Sequence, residues 1–391
     1  MLFQTLDDKR DCVGYYYNNK LLFNHELEEN LTKTWKYSLH MGDRELQIAS
    51  LYCQGKSLND VCPEDLKEKW QKASRKLKAF MRSFIEAKVS LEENCFFDLV
   101  PEKFLVEYCE VKNLITKHVL ENHPKPDNYN FLFDLTRMLE EIKYQQLSIA
   151  KEPWKYWGAK MHKRMCKISP YIAYNAFGTV TGRLGVQSGS FPILNIAREA
   201  RRAILPSNDC FLELDFNAAE LRVLLALNGK EQPDIDIHEW NAKNIFKKDL
   251  SRDEIKKRTF SWLYNPKAID KSLEVCYNKN YVLKEHFNGE AVKTIFDREI
   301  KADDHHALNY IIQSTTSDLF LKQAIKIWKL LKGKKTHVAF TIHDSLVLDF
   351  HLSDKGMVEG LLEEFSSTEM GKFKVNISGG KNFGEMREMK L

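Results

Sequence analysis

Two aspartates lie at the ends of apolar runs, where they could bind a metal ion together. Asp215 is near the end of CFLELDF, and Asp344 lies between the apolar segments of THVAFTIHDSLVLDF. Both runs are typical of strands, and if those strands were neighbours the two carboxylates could meet on one sheet. Mg²⁺ prefers carboxylate oxygen and shares its remaining coordination with water and substrate phosphates. The pair is therefore a candidate metal site.

A second set of residues could hold a nucleotide. In SRDEIKKRTFSWLY, Arg252, Lys256, Phe260 and Tyr264 recur at steps of four. At 3.6 residues per turn, such a step drifts only about 40° around a helix, so the four side chains share one face. The cations could bind a triphosphate while the rings pack on sugar and base. An ordinary amphipathic helix with its basic turn in water explains the pattern equally well.

Ordinary local structure offers a competing explanation for Asp344 and for a third acid, Glu220. Asp and Ser are common turn residues, so the segment His343-Asp344-Ser345 is also typical of a plain hairpin turn. Asn217 and Glu220 have the spacing of a helix N-terminal capping box, which would explain Glu220 without any function. These alternatives stay open when each segment is taken alone.

The surrounding pattern predicts an α+β fold, in which a sheet domain is interrupted by a helical subdomain. The strands do not alternate regularly with helices, which argues against a doubly wound sheet. Apolar spacing and start and stop signals predict helices over residues 67–88, 130–150, 237–246, 251–264, 303–331 and 355–365. Strands are predicted over 210–216, at the hairpin around residues 336–350, and over 373–378.

Composition narrows the class of protein only slightly. The chain has 391 residues and a net charge of +4, which is too small to indicate a polyanionic partner. Local clusters of basic residues are nevertheless compatible with a phosphate-binding surface, and they lie at residues 67–88, 162–167, 198–202 and 329–335. The eight cysteines form no CxxC pair, so no zinc or redox motif is indicated. No disulfide is expected, and a cytoplasmic or other reducing compartment is predicted. No apolar run reaches the length of about 18 residues typical of a membrane span.

Taken together, the segments resemble the polymerase domain of family A DNA polymerases, the bacterial DNA polymerase I type. LDFNAAELRVLLAL looks like the first carboxylate motif, RDEIKKRTFSWLY is similar to the nucleotide-binding O-helix, and IHDSLVL looks like the second carboxylate motif. TVTGRL, FPILNI, DIHEW and LNYIIQSTTSDL resemble further segments of the family in the family's order. That order favours a metal-binding role for Asp344 over a plain turn.

The resemblance implies a role for each matching residue. Asp215, Asp344 and the carbonyl of Phe216 would hold two Mg²⁺ ions, with Mn²⁺ as a substitute, for a two-metal phosphoryl transfer. Lys256 would also donate a proton to the leaving group, and Glu220 would exclude the ribose 2′-hydroxyl. The residues implied to bind dNTP are Arg252, Lys256, Phe260, Tyr264, Glu220 and His238. Those implied to bind DNA are Arg183, Asn195, Asn309, Gln313 and His343.

Some positions depart from the family pattern. Asn-Ala-Ala replaces a Ser-Gln-Ile-like run after Phe216, and Asn265 replaces the Gly that commonly follows the O-helix Tyr. Ser345 lies where a third acid is usual. Because Gly tolerates more backbone conformations, Asn265 is expected to restrict the bend after the helix. These departures bear on rate and fidelity more than on reaction type.

The resemblance implies a right-hand polymerase fold with an antiparallel-sheet palm, helical fingers and a helical thumb. The expected layout is an N-terminal region of uncertain role, thumb, palm, fingers and palm, over residues 1–65, 66–165, 166–216, 217–300 and 301–391. No proofreading 3′→5′ exonuclease is expected in this chain. Primer–template DNA and dNTPs are the expected partners, and no association with a membrane is expected. Proofreading would need a separate subunit, and separate replication subunits could also bind.

The resulting interpretation is a DNA-directed DNA polymerase that serves replication or repair. A single-subunit RNA polymerase is the first alternative, and Glu220 and Phe260 argue against it. The second alternative is a DNA-binding protein with a degenerate polymerase fold. The presence of Asp215, Asp344, Arg252 and Lys256 together argues against that second alternative.

Overall fold

The chain divides into two units in the structure, a computed structural model that describes residues 1–157, 163, 168–246, 250–265 and 268–389. The first unit is Met1–Tyr144 and the second is Gln145–Leu391. The domain boundary expected between residues 165 and 166 lies outside the described residues, as does the basic segment 162–167 apart from Lys163.

The first unit combines short strands with long helices. Three strands form an antiparallel sheet in the order β1-β2-β3, and β4 pairs in parallel with β5. The strands are β1 (Gln4–Thr5), β2 (Gly14–Tyr17), β3 (Lys20–Phe23), β4 (Lys33–Thr34) and β5 (Gln47–Ile48). The helices are α1 (Ala49–Tyr52), α2 (Lys67–Glu86), α3 (Glu102–Asn122) and α4 (Tyr129–Lys143). One core of this unit gathers apolar side chains of β2, α2 and α3, among them Tyr16, Phe84 and Leu105.

A disulfide in the first unit corrects one expectation. Cys12 is bonded to Cys95, with the two Cα atoms 5.7 Å apart, although the scattered cysteines predicted no disulfide. The expectation was wrong because pairing depends on distances in the folded chain, which the spacing of cysteines along the sequence does not give. The inference of a reducing compartment therefore has no support from the cysteines.

The second unit is built around a five-stranded sheet with strand order β13-β14-β10-β17-β18. Its strands, with four two-stranded pairs outside the sheet, are β6 (Ser148–Ile149), β7 (Tyr174–Asn175), β8 (Gly185–Val186), β9 (Ile204–Leu205), β10 (Cys210–Phe216), β11 (Ala291–Lys293), β12 (Glu299–Lys301), β13 (His337–Ile342), β14 (Ser345–Phe350), β15 (Ser367–Thr368), β16 (Gly371–Lys372), β17 (Val375–Gly380) and β18 (Arg387–Glu388). Its helices include α5 (Ala219–Leu227), α6 (Ile237–Asn241), α7 (Arg252–Tyr264), α8 (Lys271–Cys276), α9 (Lys279–His286), α10 (Ala307–Leu330) and α11 (Val358–Ser366).

The central strand β10 has two different faces because its residues alternate. Phe216 stacks on Phe365 of α11 at 4.5 Å between ring centres, so its side of the sheet is covered by helix. Phe211 lies on the opposite side and contacts Phe340 of β13 edge to face. Successive side chains of a strand point to opposite faces, so Glu213 and Asp215 share the face of Phe211. The strand therefore presents two acids on the face opposite α11.

Helices α5 to α10 share a separate hydrophobic core. Leu224, Ile255, Trp262, Tyr277 and Ile311 are among its buried members, and they come from α5, α7, the end of α8 and α10. This core fixes α5 relative to α7, and so sets the distance between the start of α5 and the exposed face of α7. In the described part of the chain, no helix is long and apolar enough to cross a membrane.

Candidate active site

The two candidate metal-binding aspartates lie at adjacent strand ends. Strands β10 and β14 pair antiparallel, with Asp215 opposite Ser345, the residue that follows Asp344. Asp344 lies in the two-residue turn between Ile342 and Ser345, which are themselves paired. The hypothesis of a shared metal site depends on these two strands being neighbours, and in the structure they are neighbours. The two carboxylates therefore meet at one end of the sheet.

Each carboxylate in this pair holds its proton more tightly than an exposed aspartate. Burial, together with the negative charges of Asp344 and Glu213, raises the pKa of Asp215 to about 7. Burial also raises the pKa of Asp344. Two like charges at close range oppose joint ionisation, and a bound cation relieves that repulsion. The pair therefore has the electrostatics of a cation site.

The turn that carries Asp344 has an unusual backbone. His343 has a φ of 55°, in the left-handed region. A residue other than Gly in this region costs about 1 kcal/mol, and such residues cluster at functional sites. The His343 side chain is exposed, whereas that of Asp344 is half-buried. The strained turn thus directs the acid inward and leaves the imidazole in solvent.

Glu220 is a buried acceptor between two other predicted site residues. It accepts a hydrogen bond from Arg183 Nη2 at 2.5 Å and another from the Tyr264 hydroxyl. Only 8% of Glu220 is exposed. Three residues from three distant motifs of the sequence are therefore brought together around one carboxylate.

The capping-box explanation of Glu220 is wrong. Helix α5 begins after Ala218, which has a φ of 50° and makes no side-chain cap hydrogen bond. The Asn217 side chain instead donates to Asp236 at 2.8 Å and accepts from the backbone N–H of Ile237 at 3.0 Å. Both side chains are committed to partners far along the chain, which local spacing cannot reveal.

Helix α7 presents the predicted basic and aromatic face. Its start is a capping box between Ser251 and Glu254, as the sequence predicted. The rings of Phe260 and Tyr264 are nearly parallel, with centres 5.9 Å apart. Lys256 is exposed, and among the described residues no carboxylate forms an ion pair with it. Its charge lowers the pKa of Asp215, so the lysine lies within electrostatic range of that acid.

The first cation of this face is already paired. Arg252 Nη2 lies 2.7 Å from Asp236 Oδ2. Burial alone would raise the pKa of Asp236, but hydrogen bonds from Arg252 and Asn217 hold it well below its usual range. Asp236 also caps α6 by accepting from the N–H groups of His238 and Glu239. A phosphate that binds Arg252 must therefore compete with an ionised Asp236.

His238 is buried, which does not suit a positively charged phosphate ligand. It is 2% exposed, its ring lies 5.8 Å from that of Phe260, and its buried Nδ1 has no hydrogen-bond partner in the described structure. Burial, together with the positive charges of Arg252 and Lys256, lowers the pKa of His238 to about 4. The imidazole is neutral near pH 7, so it can offer a hydrogen bond but no charge.

The remaining candidates lie on three different elements. Phe216 closes β10 and pairs with Val375 of β17. Asn195 is exposed at the end of a 3₁₀ turn, Ile193–Asn195. Asn309 and Gln313 are half-buried and lie one turn apart on α10, and the buried Oδ1 of Asn309 has no partner in the described structure. Such an unpaired amide is suited to bind a polar ligand.

Asn265, which lies where Gly is common in the family, has an ordinary backbone conformation. This residue follows α7 with a φ of −102° and a ψ of 107°, an extended conformation that is open to any residue. This conformation of Asn265 does not require Gly, and the effect of Asn265 on the bend after the helix stays a prediction.

Sequence reasoning missed Glu213, the second acid on the face of Asp215. Glu213 accepts hydrogen bonds from Ser345 Oγ at 2.5 Å and from Ser378 Oγ at 3.0 Å. The position where a third acid was expected thus carries a hydroxyl that binds an acid of the neighbouring strand. The signal was present in the alternation of FLELDF, which puts both acids on one side of the strand.

Arg222 was also missed, because the sequence places it within an apolar helix. Its exposed fraction is 0%, and its guanidinium donates to the carbonyls of Asn217, Pro233 and Ile235 at 2.8–2.9 Å. A further bond reaches Asn217 Oδ1 at 3.2 Å. Arg222 therefore ties the segment after β10 to the loop that leads into α6.

We expect Arg222→Met to lower the free energy of unfolding by about 3 kcal/mol, because it leaves buried carbonyls without a donor. Urea unfolding followed by circular dichroism measures the loss. Arg258→Met is the matched control. Its ion pair with Asp270 is half exposed, so that change should cost at most about 1 kcal/mol. Equal losses for the two variants would contradict a structural role for the Arg222 network.

The side chains at the site suit a metal ion only in part. Within the described residues, no group of three or more His, Cys, Asp and Glu side chains is arranged to hold a metal ion. Asp215 and Asp344 supply two carboxylates, so the other ligands of a cation would come from backbone carbonyl, water and substrate. Mg²⁺ typically binds in this way, through one or two carboxylates and phosphates. The two aspartates therefore fit Mg²⁺ better than a metal that needs a complete protein cage.

Comparisons with known proteins define the class of fold. No protein-family model matches the sequence, and no curated protein matches it. Among solved structures, the chain is similar to the polymerase domain of Pol1 from M. smegmatis, solved in complex with a DNA primer–template and dNTP. The TM-score is 0.63 at 10% identity, and the match covers 98% of this chain and 95% of that chain. The chain therefore has the fold of a polymerase domain.

Proposed function

We propose that this chain is a template-directed DNA polymerase that adds dNMP from dNTP to a primer 3′-hydroxyl. One observation carries the proposal, namely that Asp215 and Asp344 meet at the end of the central sheet in a chain with a polymerase fold. Support comes from α7, whose free cation Lys256 lies within electrostatic range of Asp215. The similar Pol1 domain was solved with primer–template and dNTP, the two substrates proposed here.

The two aspartates are proposed to hold Mg²⁺. When bound, two such ions supply Lewis-acid activation of the attacking hydroxyl and charge neutralisation at the leaving pyrophosphate. The chain contributes the ionised carboxylates of Asp215 and Asp344 and the carbonyl oxygen of Phe216. Burial at the strand ends limits the hydration of the carboxylates and fixes their positions. The free energy of folding therefore offsets the free-energy cost of holding the two like charges close together.

Helix α7 is proposed to orient the incoming nucleotide. Arg252 would exchange Asp236 for a phosphate, and Lys256 would donate a proton to the leaving group. The ring of Phe260 would pack against the nucleotide, and Tyr264 would lie at the template position. His238, neutral at pH 7, would add a hydrogen bond rather than a charge. Most of this contribution is positioning and charge stabilisation, as in other phosphoryl transfers.

DNA is proposed to contact the second unit through residues of several elements. Arg183, Asn195, Asn309, Gln313 and His343 would bind the primer–template. Arg183 is held by Glu220 in the structure, so minor-groove contact would require that pair to open or to share its hydrogen bonds. In the proposed layout the five-stranded sheet is the palm, residues 217–300 are the fingers and residues 66–165 include the thumb.

The first experiment compares dNTPs with rNTPs in extension of a labelled primer–template. We expect efficient extension with dNTPs only, because Glu220 is proposed to exclude a ribose 2′-hydroxyl. Glu220→Ala should lower the preference for dNTPs by about tenfold or more, in the range by which a reshaped pocket alters specificity. The exposed acid Glu239 offers a control, and Glu239→Ala should keep the preference.

Two results would overturn the proposal. A preference for rNTPs in the parent protein would favour a single-subunit RNA polymerase. Tight binding of primer–template without extension, in either Mg²⁺ or Mn²⁺, would favour a degenerate polymerase fold that only binds DNA.

Glu213 is proposed to tune the metal site through Ser345. Residues that orient metal ligands typically change metal affinity or activity about 10- to 100-fold when they are replaced. We therefore expect Glu213→Gln to lower extension by about tenfold at limiting Mg²⁺, with recovery as Mg²⁺ is raised. A loss that is the same at every Mg²⁺ concentration would indicate a structural defect instead, and no loss would contradict the role.

A further inference from the structure

A cavity in the first unit contains a buried ammonium that has no hydrogen-bond or ion-pair partner among the residues that the structure describes. The cavity has a volume of about 460 Å³, within the range of about 300–1,000 Å³ typical of small-molecule sites. Lys112 of α3 lines it and is only 8% exposed. Among the described residues, none forms a hydrogen bond or ion pair with the Lys112 ammonium. Its Nζ lies 5.9 Å from the centre of the Tyr108 ring.

The other charges at this end of the cavity are already compensated. Asp8 binds both Lys36, at 2.6 Å, and Lys143, at 3.0 Å. Glu140 is 3.0 Å from Lys143 and 3.5 Å from Lys36. Two carboxylates thus serve two ammonium groups, and the positive charge of Lys112 is left over.

The two remaining acids of the lining also have other partners. Asp7 accepts two bonds from Lys9 at 2.8 Å. Glu92 is half-buried and accepts a hydrogen bond from the neutral Ser90 hydroxyl at 3.0 Å, and it is not among the charges that act on the pKa of Lys112. A buried charge without a partner is costly, and its pKa shifts in response. Burial indeed lowers the pKa of Lys112.

The rest of the lining indicates what Lys112 could bind. Tyr108 and Tyr144 line the cavity, and in the described structure neither hydroxyl has a hydrogen-bond partner. Burial raises the pKa of Tyr108, so its hydroxyl stays protonated and can donate. The remaining walls are largely apolar, with side chains such as Leu77, Met81, Leu91 and Leu105. One cation and two hydroxyl donors thus line a cavity whose other walls are largely apolar.

We propose that this cavity is a binding site for a small carboxylate with an apolar body, whose carboxylate pairs with Lys112 and whose body fills the apolar walls. The inference is independent of the proposed polymerase activity, because it uses residues of the first unit alone. A carboxylate would satisfy the ammonium and accept from one or both hydroxyls. Water could hydrate the ammonium, but it would leave the apolar walls without contacts.

Thermal unfolding of the full chain tests the site, with decanoate as the probe. We expect millimolar decanoate to raise the melting temperature in a concentration-dependent way. The neutral analogue 1-decanol and the cation decylammonium should raise it less or not at all. Equal shifts with all three probes, or no shift with decanoate, would overturn the proposal.

Variants of Lys112 separate binding from general stability. Lys112→Met should abolish the shift with decanoate and raise the melting temperature without ligand, because it removes an uncompensated buried charge. Lys112→Arg should retain a shift. Lys117→Met on the same helix is the matched control, since Lys117 is exposed and its ion pair with Glu121, at 3.9 Å, lies on the surface. A full decanoate shift in Lys112→Met, or a lower melting temperature without ligand, would count against the site.

Discussion

Asp344→Asn should reduce the rate of primer extension by about 10³-fold or more, because it removes one of the two carboxylates proposed to hold the cations at the reacting phosphate. The variant is informative because Asn is as well suited to a turn as Asp. If Asp344 were only a turn residue, the hairpin and the extension rate would both survive. Steady-state extension of a labelled primer with dNTPs and Mg²⁺ measures the effect.

The same variant should affect stability in the opposite direction from activity. The charge of Asp344 raises the pKa of Asp215, which means that the two carboxylates repel each other when both are ionised. Removal of one charge should therefore keep or raise the melting temperature near pH 7 while activity is lost, as is common for functional charges. Asp304→Asn, the same chemical change at an exposed position, should alter neither quantity. Lost activity with a lowered melting temperature would instead indicate a folding defect.

The sequence predicted the segments of the site well where local chemistry determines them. The strand CFLELDF has the bounds that its pattern predicted, Cys210–Phe216, because its alternation of apolar and acidic residues suits a strand with two different faces. The capping box of α7 is likewise present, since Ser251 and Glu254 are three residues apart and need no distant partner. Such features depend on neighbours in sequence, which the sequence contains directly.

Features set by distant neighbours could not be predicted in this way. Glu220 has the spacing of a cap residue, yet Arg183 and Tyr264 occupy its carboxylate from 37 and 44 residues away. The disulfide between Cys12 and Cys95 closes 83 residues, and neither cysteine carries a local signal. The burial of His238 also depends on packing around α7. In each case several partners were compatible with the local pattern, and only the fold selects among them.

Lys256→Met is the second change with a large expected effect, a decrease in the turnover rate of about 10²- to 10⁴-fold, the usual range for loss of a general acid. Lys256 lies on the exposed face of α7 between Arg252 and Phe260, and no described residue pairs with it. Its charge nevertheless acts on Asp215 and on His238, so it lies within electrostatic range of both residues. A cation without an ion-pair partner in the described part of the chain is available for the proposed contact with the leaving pyrophosphate.

Lys257→Met is a close control, because Lys257 is equally exposed, is one residue further along α7 and so points about 100° away. It should extend primers at nearly the parent rate. If Lys256 donates a proton, the loss should lie in kcat at saturating dNTP, and binding of dNTP should weaken less. A loss confined to KM would reduce Lys256 to a phosphate-binding charge. Equal losses in Lys256→Met and Lys257→Met would mean that α7 contributes only general positive charge, and its alignment with a nucleotide-binding helix would fail.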